Sequence, residues 1–304
     1  MNNILVSGHI TIETTVKIEQ FPIEYSPIEY KFNGVNSTVS GVGYNIAKAI
    51  KTLGGNPILF SLTGNDIYHN IVKHEIKNIG VNEKYVLPII KGTSQSIILY
   101  NENARKIILD LKDIQEAKYP LNILNEIIND IDMAVLCNIN FSRDMLKVVK
   151  NYKKLIASDV HVVYDVNDEY NKDFMEYSDI LFLSNENIHG RENDFMKQLI
   201  QKYNHKIIVI TMGGKGLLIY IKEKGEIKYF PAIKTREVVN TIGAGDALFS
   251  CFIHYYNKTR DAYYSIKLAT IFASYKIGEN GGSNGFISEE QLEELNRKTS
   301  GNVA

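Results

Sequence analysis

The stretch "VVNTIGAGDALFSCF", residues 238–252, sets one carboxylate, Asp246, between small residues and an apolar run. Gly243 and Gly245 let the backbone approach a ligand closely. The apolar residues after Asp246 read as a helix, whose first turn holds amide donors without intrahelical partners. Those donors, with the positive end of the helix dipole, suit an anion such as a phosphoryl group. A carboxylate among them repels that anion unless it has its own task, such as taking a proton from an attacking hydroxyl. The competing role for Asp246 is a plain helix cap, which aspartate often fills. The rest of the chain has to decide.

Outward from this loop, short runs rich in Ile, Val and Leu recur: "ILVSG" (4–8), "PILFSLTG" (57–64), "MAVLCN" (133–138), "HVVYDVN" (161–167), "ILFLSN" (180–185) and "KIIVITMGG" (206–214). They read as buried strands. Amphipathic stretches between them, Tyr68 to Ile79, Leu121 to Ile128 and Met145 to Tyr152, carry apolar residues at helical spacing. Strand alternating with helix predicts an α/β fold with a mostly parallel sheet covered on both faces, where ligands bind beyond the carboxyl ends of the strands. Asp165 and Asn167, Asn185, and Gly213 with Gly214 fall at such ends.

Residues 12–38 and 95–109 break the rhythm, with polar and apolar residues partly alternating around a turn at Glu102 to Ala104. Extra antiparallel strands are expected there, forming either a small β lid over the carboxyl edge of the sheet or plain edge hairpins. The chain shows no internal repeat, low-complexity segment or linker, so residues 1–304 read as a single domain with the lid inserted.

Hydrophobic residues make up 44% and charged residues 23% of the chain, a profile that supports a packed core. Lysine plus arginine (34) nearly balance aspartate plus glutamate (35), and no basic run is interleaved with aromatics, so no nucleic-acid partner is expected. No window reaches the roughly 18 apolar residues of a membrane helix, and the start has no signal-like pattern. A cytoplasmic protein without a membrane partner is expected. Cys137 and Cys251 each lie in apolar runs, as buried reduced thiols do. The seven histidines lack ligand spacing and read as packing or surface residues.

"NTIGAGDALFS" closely resembles the D-T-x-G-A-G-D signature of the ribokinase family, the PfkB carbohydrate kinases. Further stretches resemble the family in the same order: "SGVGYNIAKAIKTLG" (40–54), "LTGND" (62–66), "VVYDVN" (162–167), "TMGGKG" (211–216) and "YFPA" (229–232). The resemblance implies a ribokinase-like three-layer α/β/α fold and an ATP-dependent transfer of a phosphoryl group to a hydroxyl of a small sugar or nucleoside. It implies Asp246 as the catalytic base and the amides of Gly243, Ala244 and Gly245 as an anion hole. Substrate falls to Glu13, Gly41, Gly43 and Asn45, and the nucleotide to Asn185, Thr211, Gly213 and Gly216. Magnesium is implied with ATP, and the glycine-rich segment "GENGGSNGF" (278–286) resembles one that in many members lies near a potassium ion, K+.

Several positions depart from the family pattern. Glu13 stands where an aspartate is usual, Asn240 replaces the first aspartate of the signature, and Ile188 replaces the glutamate of the N-x-x-E motif. Glu186 or Asp165 is then expected to carry the metal's charge. Val42 occupies a position where relatives acting on ribose or sugar phosphates often have lysine, which favours an uncharged substrate. "SGVGYN" and "LCNIN" (136–140) resemble pseudouridine-kinase-like members, which points to a nucleoside. A homodimer paired through the lid is a further expectation. The competing functional class is a ligand-binding or regulatory protein that keeps the fold and lacks turnover.

Overall fold

The computed structural model describes residues 3–30, 32–101, 106–110 and 113–301. The first half contains β1 (Asn3–Ser7), β2 (Thr11–Lys17), β3 (Val35–Ser40), α1 (Val42–Thr52), β4 (Asn56–Gly64), α2 (Ile67–Asn78), β5 (Val86–Ile90), β6 (Gln95–Tyr100), β7 (Lys106–Asp110), α3 (Leu121–Ile127), β8 (Met133–Leu136) and α4 (Asn140–Asn151). The second contains β9 (Leu155–Val162), α5 (Lys172–Tyr177), β10 (Ile180–Ser184), α6 (Glu192–Lys202), β11 (Ile207–Thr211), β12 (Leu217–Ile221), β13 (Glu226–Phe230), α7 (Ala244–Thr259), α8 (Ala262–Lys276) and α9 (Glu289–Gly301).

The large sheet runs β13-β12-β11-β10-β9-β8-β1-β4-β5. Its strands from β11 to β5 are parallel to their neighbours, while β12 and β13 add an antiparallel edge. The central strands are apolar throughout, as strands buried on both faces must be: Ile4, Leu5 and Val6 of β1 have no exposure. From β1 to β4 the chain steps one way across the sheet, and from β8 through β11 it steps the other way. Right-handed crossovers therefore put α1 on one face and α4, α5 and α6 on the other. The change of direction between β1 and β8 opens a crevice beyond their carboxyl ends, where α/β sheets bind ligands. Helix α7 lies over the sheet with Phe249 and Phe252 against Phe182 of β10, ring centroids 4.9 and 5.2 Å apart. Each buried ring contributes about 1.5–3 kcal/mol.

A second sheet, β3-β2-β6-β7, is the expected lid. Strand β2 pairs antiparallel with β3 and parallel with β6, which joins the two inserted segments into one surface. The turn expected at Glu102 to Ala104 lies outside the described residues. Tyr25, Tyr30 and Phe32, between β2 and β3, stand largely in solvent.

Two boundaries differ from expectation. The strand sought at 161–167 is β9, which starts at Leu155 and ends at Val162. Within its last residues His161 has φ 56°, and beyond it the Asp165 carboxylate closes a turn onto the Asn167 amide, so the chain leaves the sheet early. The helix sought from Met145 starts at Asn140, where Phe141 begins a buried line through Met145 and Val149. Among the described residues no helix is long and apolar enough to cross a membrane.

Candidate active site

Helix α1 begins pressed against the end of β1. A Cβ on Gly43 would lie 2.4 Å from Gly8 O, and one on Gly41, at φ 100°, would lie 2.8 Å from His9 O. The structure accounts for both glycines by chain packing, and the consequence of that packing is the placement of Asn45. Asn45, buried in the first turn of α1, donates from Nδ2 to Asp246 Oδ2 at 2.7 Å. Ser40 Oγ, at the end of β3, lies 3.0 Å from Glu13 Oε2 and 3.3 Å from Asn45 Oδ1. Glu13, buried on β2, also accepts from the Gly282 amide at 3.4 Å. The lid, α1, α7 and the glycine-rich segment thus meet in one polar line from Glu13 through Ser40 and Asn45 to Asp246.

Helix α7 starts after Gly243, whose φ of 74° is left-handed; a Cβ there would lie 2.3 Å from Gly282 O. Only glycine lets the two loops touch this closely. Asn240 Oδ1 accepts from the Ile242 amide at 3.1 Å and its Nδ2 donates to Asn280 Oδ1 at 2.8 Å, so the amide substitute holds the loop without a charge. The Ala244 amide donates to Thr241 O at 3.2 Å and that of Ala247 to Gly243 O at 3.0 Å. Among the described residues no acceptor meets the amides of Gly243, Gly245 and Asp246.

The Asp246 side chain makes no cap to these amides; it turns to Asn45. Burial pushes its carboxyl above the usual carboxylate range, and the nearby charge of Asp159 adds to this. The bond from Asn45 and the charges of His161 and Lys276 oppose the rise without reversing it. A carboxylate reluctant to stay charged is suited to accept a proton.

The expected nucleotide residues gather at the ends of β10 and β11. The Asn185 amide donates to Thr211 O at 2.9 Å, and Thr211 Oγ1 donates to Leu183 O at 3.3 Å. Gly213 (φ 56°) and Gly216 (φ 102°) form the turn after β11, and a Cβ on Gly216 would lie 2.1 Å from Phe230 O of β13. Ile188 is fully in the core. Its neighbour Glu186 is exposed, and among the described residues its one hydrogen bond runs from its amide to Ser184 Oγ at 3.3 Å. The acid that reaches Asn185 is instead Glu192, in the first turn of α6, which accepts from Asn185 Nδ2 at 2.7 Å. That bond holds the Glu192 carboxyl below its ordinary value. Asp165 accepts from the Asn167 amide and from Asn167 Nδ2, both at 2.9 Å, while Asn167 Oδ1 accepts from Lys202 of α6. Among the described residues no hydrogen bond ties Asp165 or Glu186 to Asp246.

Glu192, Asp159, Lys276 and the position of Gly282 were not expected from the sequence, and His161 was expected to be a packing or surface residue. Asp159 and His161 end β9, and both act electrostatically on Asp246. The detectable signal was strand-end position, which the early end of β9 displaced from Asp165 to these two residues.

The chain and its fold are similar to those of known proteins. The family model of pfkB family carbohydrate kinases matches residues 1–289. A deoxyribokinase of Salmonella typhi is 25% identical over 307 residues, covering 96% of this chain and 98% of its own. A nucleoside kinase of Methanocaldococcus jannaschii is 23% identical over 298 residues, 92% of each chain. The crystal structure of a putative ribokinase from Agrobacterium tumefaciens superposes with a TM-score of 0.86 over 99% of both chains at 18% identity, so the fold is ribokinase-like. The chain belongs to the pfkB family of carbohydrate kinases.

Proposed function

We propose that the protein transfers the γ-phosphoryl group of ATP to a hydroxyl of a small neutral sugar or nucleoside. The observation that carries this reading is the Asp246 carboxylate, raised in proton affinity and held by Asn45 beside the unpaired amides of Gly243, Gly245 and its own residue. Asp246 takes the hydroxyl proton while the hydroxyl oxygen bonds to the γ-phosphorus. The bond from that phosphorus to the β–γ bridging oxygen breaks, and ADP leaves. The unpaired amides receive the charge that builds on the transferring group, and such donors contribute about 3 kcal/mol each in comparable sites. Little covalent work falls on the protein, so positioning dominates.

Glu13 and Asn45 hold acceptor hydroxyls on the polar line beneath the lid, and the turn from Thr211 to Gly216 holds the nucleotide. Lid closure would exclude water, the competing acceptor. The relatives named as a deoxyribokinase and a nucleoside kinase support a pentose-based acceptor, and Val42 supports an uncharged one. Magnesium bound with the phosphates would supply positive charge to the transferring group. Asn185 and Glu192 suit it as oxygen donors, directly or through water. Among the described residues no group of three or more His, Cys, Asp or Glu side chains could hold a metal ion, as fits an ion carried in by the nucleotide.

The test is a coupled ADP-release assay with Mg-ATP across pentoses, hexoses and nucleosides. Turnover on at least one neutral acceptor is expected. Binding of an acceptor, seen as thermal stabilisation, with no ADP released from any of them would favour the non-catalytic class instead.

A further inference from the structure

Lys276 ends α8, and its side chain is completely buried. Its ammonium donates to Ile242 O and to Gly281 O, the latter at 2.6 Å. Each carbonyl belongs to a residue that immediately precedes a glycine of the site: Ile242 leads into Gly243 at the start of α7, and Gly281 into Gly282, which donates to Glu13. Gly243 and Gly282 are themselves in backbone contact. One buried cation therefore ties the two loops that carry the anion-binding amides and the floor of the acceptor site.

An isolated buried ammonium is strongly unfavourable, so this one needs compensation. Two carbonyls supply it, and the negative end of the α8 dipole adds to them. Asp246, Glu13 and Glu279 also favour the charged form, while Arg236 opposes it; burial outweighs the balance and pushes the amine down to about 8, which leaves it mostly protonated at neutral pH.

We propose that Lys276 is a positioning residue, a built-in monovalent cation that occupies the carbonyl cradle between the two loops and frees the enzyme from any need for potassium. Backbone carbonyls facing one another are ligands that a free cation such as K+ also takes. Here the ammonium already fills that position, and the residues present do not leave it for an ion. The proposal rests on the phosphoryl-transfer reading above.

The test compares wild type with Lys276→Ala in KCl, methylammonium chloride and tetramethylammonium chloride at equal ionic strength. Wild-type kcat should agree within a factor of about two in all three, because the charge is already in place. Folded Lys276→Ala should lose about 10²–10³ in kcat, the range for a lost anion-hole donor, with KM for the acceptor changed far less. K+ or methylammonium should restore at least about tenfold of that loss, and tetramethylammonium, too large for the cradle, should not. A readout without turnover is the melting temperature, which K+ should raise relative to tetramethylammonium in the variant and not in wild type.

A wild type stimulated tenfold or more by K+ overturns the proposal. So does a folded variant that keeps the wild-type rate in tetramethylammonium, or one whose lost rate no small cation restores. If Lys276→Ala does not fold, the wild-type comparison alone decides. Absence of ADP release in every salt would instead sink the phosphoryl-transfer reading, so the two failures are distinct.

Discussion

At Asp246 a single environment has two effects. Burial lifts the proton affinity of the carboxyl, which equips it as a base, and for the same reason makes its charged form a burden on the fold. The folded carboxyl titrates above its unfolded value, so its contribution to stability is full below the unfolded pKa, near 4, and is lost as pH rises through the higher folded value. Asp246→Asn should therefore raise Tm at pH 7 in scanning calorimetry, with the gain shrinking toward pH 4; a lowered Tm at pH 7 would contradict this. Lys276 sets the alkaline side. Its ammonium, held down to about 8, faces Asp246, Glu13, Glu279 and Arg236. The profile of kcat/KM against pH should then be a bell that rises as Asp246 ionises, above the ordinary aspartate range, and falls near pH 8 as Lys276 loses its proton. Lys276→Arg, which keeps its charge throughout, should remove the alkaline limb if it retains activity. A wild-type profile flat from pH 6 to 10 would refute the assignment of the alkaline limb to Lys276.

Among the elements, the end of β10 separates what sequence spacing reveals from what backbone turns create. The runs "ILFLS" and "IIVIT" are legible as buried strands because four of the five residues in each are apolar, and Asn185 is legible as a strand-end residue. Its acidic partner is not, because two successive turns, Ile188 N to Asn185 O and Arg191 N to Ile188 O, both at 2.9 Å, fold the chain back and bring Glu192 onto Asn185. Glu186 is nearer along the chain and points to solvent. Replacing each acid by glutamine distinguishes them. Glu192→Gln should raise the magnesium concentration for half-maximal rate by about 10-fold or more, the usual range for a group that orients metal ligands. Glu186→Gln should leave it within about two-fold, as expected of an exposed side chain. Equal effects at the two positions would remove Glu192 from the metal's neighbourhood. At β9 the reading failed for another reason. The run "HVVY" looked like the strand, yet pairing with β8 and β10 begins at Leu155 and is over by Val162.

Across the molecule, the site is an agreement among distant segments. Glu13 comes from the lid, Asn45 from α1, Asp246 from α7 and Gly282 from the last glycine-rich loop, joined by hydrogen bonds of 2.7 to 3.4 Å. The layers, the lid and Asp246 were legible in the chain because strand composition, the two interrupting segments and the "GAGD" loop each carry a local pattern. Asp159, His161 and Lys276 were not, since their relation to Asp246 exists only where the sheet reverses direction between β1 and β8 and helix α8 returns to it. Lys276 in particular follows "FASY" as a helix-end lysine that would read as solvated, yet it is fully buried. Proton transfer to Asp246 is the step on which the proposed phosphoryl transfer turns. Its most direct test is the ADP-release rate of wild type and Asp246→Asn on the same acceptor, with substrate-induced thermal shifts confirming that both bind it. The variant should bind the acceptor and release ADP about 10²–10⁴-fold more slowly; a variant that turns over within a few-fold of wild type would remove Asp246 from the proton transfer.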